Sequence, residues 1–263
     1  MGERTSDEFP RIARAELGID AVELVSTLLR GARREQTAEL ARRANGEGVR
    51  MLLIMVDDEG DLSHPDRRAR SKAVARHRAW LEAAARLGAH GLRVNTGGER
   101  RLPRNAQHLP PGSPELRSAI ARCVESIAAL ADEARPAGVS VLLENHGGIS
   151  ANPAAIVEIV CAARRDNVGT LPDFGNFLEG VDRYEAVRAL LPHARALSAK
   201  SWDFLEDGRE STIDFARMIG LAREAGYEGY VGIEYEGARL PEMEGIRRTK
   251  ALLERCFATA AAG

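Results

Sequence analysis

Seven short runs of β-branched and aliphatic residues, separated by long stretches rich in Ala, Arg, Glu and Leu, set the tightest limit on how this chain can fold. The runs are AVELV (21–25), VRMLLIMV (49–56), GLRVN (91–95), SVLLENH (140–146), VGTLPDF (168–174), ALSAKS (196–201) and GYVGIEYE (229–236). Strand-length apolar runs that alternate with helix-length segments are the signature of βαβ units around a parallel sheet. The stretch 66–88 predicts a helix, because Val74, Trp80, Leu81, Ala84 and Leu87 form an apolar stripe at a period of about 3.6 residues. Ser113-Pro114-Glu115 and Asn152-Pro153 predict helix starts, each placing a capping side chain before a proline in the first turn.

A closed (β/α) barrel needs about eight strands, and the count here stops one short. The absent one is the first, since residues 7–18 (DEFPRIARAELG) read as a short helix that leads through Gly18 into AVELV. The expectation is therefore an α/β, TIM-type (β/α) barrel lacking its first strand, either because the chain is truncated or because the barrel is incomplete. An incomplete barrel would leave edges that invite an open groove or pairing with a second chain, hence a homo-oligomer. With 263 residues and 44% hydrophobic content, one barrel domain over 1–263 is the simplest organisation. Residues 97–116 (GGERRLPRNAQHLPPGSPEL) form a Gly/Pro-rich connection longer than a typical βα loop, readable as an active-site cover or as a solvated insertion.

Acidic and basic residues nearly cancel to a net charge of -2, which gives no general electrostatic reason to bind nucleic acid or an anionic membrane. Cys123, Cys161 and Cys256 are odd in number and scattered, and the first two lie in apolar helical patterns that suit reduced, packed thiols. The N-terminal MGERTSDEFPR carries no apolar signal core, and no run approaches the roughly 18 apolar residues of a membrane span. The expectation is a soluble, cytoplasmic protein.

Three of the runs end in a carboxylate: Glu144 in VLLENH, Asp173 in VGTLPDFGN and Glu234 in GYVGIEYEG. A carboxylate is costly to bury alone, so three at strand ends suggest that those ends converge on a shared cation or polar substrate.

The chain also resembles the xylose isomerase-like superfamily of TIM barrels, of the sugar phosphate isomerase/epimerase type, from about residue 7 to about residue 256. The resemblance is carried by LLENHGG, TLPDFGNF, SAKSWDF and AGYEGYVGIEYEG in that order and spacing, and by MLLIMVDDEGDL and LGAHGLRVN before them. It implies that the first strand precedes the opening helix and has been lost by truncation. It also implies a divalent cation, Mn or Mg, held at the barrel mouth by a Glu, an Asp, a His and a second Glu, with the two Glu residues handling protons on opposite faces of a ketose. Carried over by motif, Glu144, Asp173 and Glu234 are the carboxylate ligands, and Ser198 stands where imidazole is expected. Serine is a much poorer ligand than imidazole, so the resemblance implies a degraded metal site.

Lys200 shares the facing of Ser198, two residues away on the same strand. Its ammonium could replace a cation among the carboxylates, transfer a proton, or extend to solvent. His146 is read as a substrate contact, with a replacement ligand or a loop imidazole as the other readings. Asn176 matches a family position that touches substrate, and Asn95 and Asn145 could bind sugar hydroxyls, although turn chemistry accounts better for Asn145. Asp57 or Glu59 could reach the substrate, whereas Arg100, Arg101 and Arg104 read better as a charged solvated loop than as an anion site.

The reaction expected is proton abstraction beside a carbonyl by Glu144 or Glu234, through an enediolate stabilised by a cation or by Lys200. The substrate expected is a small carbohydrate, free or phosphorylated. A keto-sugar lyase using the same abstraction and a non-catalytic sugar-binding relative are the alternatives. A nuclease is disfavoured, because no His-rich cluster or basic face is evident.

Overall fold

The computed structural model describes residues 6–29, 33–96 and 109–261. The chain divides into two compact units, Met1–Gly169 and Thr170–Gly263. Among the described residues there are seven strands, one for each apolar run. They are β1 (Ala21–Val25), β2 (Arg50–Val56), β3 (Gly91–Val94), β4 (Ser140–Glu144), β5 (Val168–Leu171), β6 (Leu197–Ser201) and β7 (Val231–Tyr235).

In the first unit α1 (Phe9–Leu17) precedes β1, as the sequence predicts, and ends at Gly18 with φ 63°, a conformation glycine adopts without steric cost. The helices α2 (Arg34–Glu47), α3 (Arg67–Leu87), α4 (Pro114–Ala134) and α5 (Pro153–Ala163) come next. Their starts obey the expected chemistry. Ser113 Oγ accepts from Leu116 N at 3.2 Å and Asn152 Oδ1 from Ala154 N at 3.0 Å, each beside a proline that supplies no N–H of its own. The stripe on α3 is buried at Val74, Trp80, Leu81, Ala84 and Leu87.

The strands of this sheet run in the order β1-β2-β3-β4-β5, and β1 to β4 pair in parallel. Register decides which side chains share a layer. Met55 lies opposite Arg93, which lies opposite Leu142, so the next outward layer contains Asp57, Asn95 and Glu144. On that face Leu53 and Leu142 below the layer are fully buried, as are Leu92 and Leu143 on the opposite face of the sheet.

In the second unit β6 and β7 pair in parallel, with Ser198 opposite Gly232 and Lys200 opposite Glu234. The helices are α6 (Arg183–Leu190), α7 (Phe215–Glu224) and α8 (Glu242–Ala261). A core of Phe174, Val187, Leu197, Met218, Ile219 and Leu252 gathers them, and Phe174 meets Phe215 edge to face at 5.8 Å. β5 stops at Leu171, short of the predicted 174, because Pro172 has no N–H to continue a ladder. Asp173 is nonetheless bridged to Ser198: Ser198 N donates to Pro172 O at 3.0 Å and Phe174 N to Ser198 O at 2.9 Å.

The expectation for the cysteines holds in part. Cys123 is buried and its thiol is pushed up by desolvation, whereas Cys161 is exposed on α5 instead of packed. Among the described residues no helix is long and apolar enough to cross a membrane. Arg100, Arg101 and Arg104, and most of the 97–116 connection, lie outside the described residues.

Candidate active site

In the first unit the polar groups collect where β2, β3 and β4 end. Glu144 closes β4 and is 1% exposed. Arg93 Nε sits 2.8 Å from Glu144 Oε2, a buried ion pair held by charge more than by an aligned hydrogen bond. The same guanidinium reaches Asp57 Oδ1 at 2.5 Å and Val56 O at 3.3 Å through Nη1. Asn95 Nδ2 donates to that Asp57 oxygen at 2.8 Å, and Asp57 N donates to Ser26 Oγ at 2.9 Å. Asn95 is 6% exposed, and its Oδ1 has no hydrogen-bond partner among the described residues. Because Nδ2 faces a carboxylate, the amide orientation is fixed, and Oδ1 is an acceptor in want of a donor.

Arg93 is the residue that sequence reasoning missed. A cation inside an otherwise apolar strand was the available signal, since GLRVN puts Arg93 and Asn95 on one face. Asp57 is committed to this network. Glu59 accepts from Trp80 Nε1 at 2.8 Å, so its visible work is to anchor the loop after β2 against α3. β4 ends at Glu144, so alternation does not carry on to His146, which is half-buried in the turn beyond it. That turn is held by Thr96, whose hydroxyl donates to Gly147 O and accepts from Ser150 N at 3.0 Å.

In the second unit the groups collect on β6, on β7 and just beyond β5. Asp173 is fully buried, and its Oδ1 accepts from Gly175 N at 2.7 Å and Asn176 N at 2.6 Å. The side chain of Asn176 is half-buried. Ser198 Oγ donates to Glu234 Oε2 at 3.2 Å, and Lys200 Nζ lies 3.4 Å from Glu234 Oε1 and 3.1 Å from Glu236 Oε1. Ser198 and Lys200 are 1% and 2% exposed, so both face inward together, as strand alternation requires. Lys200 is packed as well as paired: a Cβ on Gly175 would lie 3.0 Å from its Cγ and Cδ and 2.6 Å from Trp202 Cη2. That close approach leaves little room for any side chain at this position of TLPDFGNF.

Counted at formal charges, the first cluster holds two carboxylates against one guanidinium, and the second holds three against one ammonium. Each therefore retains an excess of negative charge, in the first cluster around buried Arg93 and Glu144 and in the second around buried Lys200 and Asp173, which favours an added cation or a positively polarised ligand.

A family model described as xylose isomerase-like TIM barrel matches residues 13–256, a span that runs through both units. No curated protein matches the sequence. Solved structures match over nearly the full chain at low identity. A D-tagatose 3-epimerase-like protein is 19% identical, with 94% of this chain and 92% of that one covered at TM-score 0.77. The apo form of the 3-keto-D-glucoside 4-epimerase from E. coli is 19% identical, with 97% and 95% covered at 0.76. A xylose isomerase-like TIM barrel protein from Mycobacterium smegmatis, in complex with magnesium, is 18% identical, with 97% and 90% covered at 0.71.

Proposed function

We propose, from the premise that this chain belongs to the xylose isomerase-like TIM barrel family, that it is a sugar isomerase or epimerase working by proton transfer beside a ketose carbonyl. The observation that carries the reading is the pairing of Glu234 with Lys200 and Ser198. It presents a strand-end carboxylate whose two oxygens are oriented by an ammonium and a hydroxyl, both nearly excluded from water. Structural relatives that act on sugars support the same reading.

In a parallel barrel the C-terminal ends of the strands open onto one mouth. As strand-end carboxylates of such a barrel, Glu144, Asp173 and Glu234 would share that mouth and would together hold one ion. Three carboxylates and a serine hydroxyl make an all-oxygen donor set, which suits Mg2+ or Mn2+ better than metals that favour imidazole or thiolate. When bound, such a cation supplies Lewis-acid polarisation of the substrate oxygens. The protein's own groups do the rest. Glu234 removes the proton on carbon, Lys200 offsets charge on the developing enediolate oxygen, and Glu144 serves the opposite face of the sugar. Asp173, tied down by Gly175 and Asn176, anchors the arrangement. Asn95 offers its Oδ1 to a substrate hydroxyl, and His146 and Asn176 are the further substrate contacts expected from the sequence.

Calorimetric titration with Mn2+, combined with product analysis on a panel of ketoses and keto-glycosides, tests this. Saturable binding lost in Glu234→Gln, with interconversion of at least one sugar pair, is expected. Elimination of a substituent instead would make the enzyme a lyase, and binding without turnover of any sugar would leave a sugar-binding protein.

A further inference from the structure

We infer that Arg93 is a positioning residue for Glu144, held in place by Asp57, and that the Asn95 amide couples this device to the sugar; the inference rests on the proposed isomerase or epimerase function. A carboxylate that must act on one face of a substrate needs a fixed orientation, and a glutamate has three side-chain torsions that can lose it. Burial alone narrows those torsions without choosing among them. Here the choice is made by charge, because the guanidinium fork holds Glu144 through Nε and Asp57 through Nη1. Arg93 is 4% exposed, so the pair is only weakly screened.

The fork is itself aimed. Asp57 receives Arg93 and Asn95 on one oxygen, while its backbone N–H is tied to Ser26, so the C-terminal ends of β1, β2, β3 and β4 each contribute a link. A purely structural ion pair would end there. This one continues to Asn95 Oδ1, a buried acceptor with no partner among the described residues, in the layer that also contains Glu144. A hydroxyl donor, the group a sugar presents in quantity, satisfies it. A sugar seated on Asn95 is then connected through Asp57 and Arg93 to the carboxylate that acts on it. Outer hydrogen-bond partners of carboxylate ligands typically change metal affinity by about 10–100-fold when removed.

The test compares wild-type protein with Arg93→Met, Arg93→Ala, Arg93→Lys and the milder Asp57→Asn, each first checked for folding by circular dichroism. Mn2+ affinity is measured without substrate, and ketose turnover is resolved into kcat and KM. The expected result is a fall of about tenfold or more in Mn2+ affinity and in kcat for Arg93→Met, no rescue by Arg93→Lys, which lacks the fork, and a smaller loss of kcat in Asp57→Asn. Added guanidinium at low millimolar concentration is expected to restore part of kcat to Arg93→Ala and none to wild type. Folded variants with wild-type affinity and kcat overturn the inference while leaving the proposed function standing. A wild-type protein that neither binds Mn2+ nor turns over a ketose overturns both.

Discussion

Gly175→Ala should destabilise the protein by crowding Trp202 and Lys200. A Cβ at this position would lie 2.6 Å from Trp202 Cη2 and 3.0 Å from Lys200 Cγ and Cδ, where ordinary carbon contacts begin near 3.4 Å. The loop cannot swing away cheaply, because Gly175 N is bonded to Asp173 Oδ1 at 2.7 Å. Lys200 is 2% exposed and has no open space to enter, so Trp202, which is half-buried, must give most of the distance. Overpacking of this kind costs about 1–3 kcal/mol. If Lys200 yields as well, lengthening its 3.4 Å contact with Glu234 by about 1 Å at an effective dielectric of about 20 removes at most about 1 kcal/mol, less for the exposed third of Glu234. At about 2–4 °C per kcal/mol for a domain of this size, the steric cost alone should lower Tm by roughly 2–12 °C. Scanning calorimetry reads the shift, and a double mutant with Trp202→Leu should recover about 1 kcal/mol beyond additivity, since the two residues touch. An unchanged Tm in Gly175→Ala would refute the steric argument.

Three further outcomes rest on single contacts. His77 is 2% exposed with Nδ1 bonded to Ala73 O, and burial holds its pKa below the ordinary 6.5; the unfolded chain then binds a proton that the folded one resists. Stability should therefore fall as pH drops below about 6.5, and His77→Gln should flatten that slope in urea midpoints measured from pH 7.5 to 5; equal slopes would contradict it. Glu210, 5% exposed, accepts backbone N–H groups from Trp202, Thr212 and Ile213, so Glu210→Ala should cost at least about 1.5–3 kcal/mol in urea unfolding, with Glu210→Gln recovering part. Ser198→His should raise Mn2+ affinity by about tenfold, or 1.4 kcal/mol, in a calorimetric titration, and weaker binding would argue against a shared cation at this position.

Much of the architecture was legible because it depends on local pattern. All seven apolar runs became strands, the α3 stripe is buried, and the caps at Ser113 and Asn152 form as their side chains dictate. Strand ends were less legible. Pro172 stops β5 early, and the run through His146 leaves the sheet at Glu144, where the chain turns toward a 3-10 segment at Gly148–Ala151. That Ser198 and Lys200 share one facing came from alternation; that this facing is inward did not. The partners of these groups did not. That Arg93 grips Glu144 and Asp57, or that Lys200 divides itself between Glu234 and Glu236, depends on inter-strand register, which no local pattern encodes. Glu59 shows the converse: an acidic residue in a promising loop proves to anchor Trp80.

The central claim is that the strand-end carboxylates exchange a proton on a carbon beside a ketose carbonyl. Incubating the protein with Mn2+ and a ketose panel in D2O, and tracking deuterium at each carbon by NMR, tests it most directly. The account predicts deuterium at a carbon adjacent to the carbonyl of at least one sugar, slowed by about 100-fold or more in Glu234→Gln and in Glu144→Gln. Exchange that survives in both variants at the wild-type rate, or no exchange with any sugar in Mn2+-loaded wild-type protein, would contradict it.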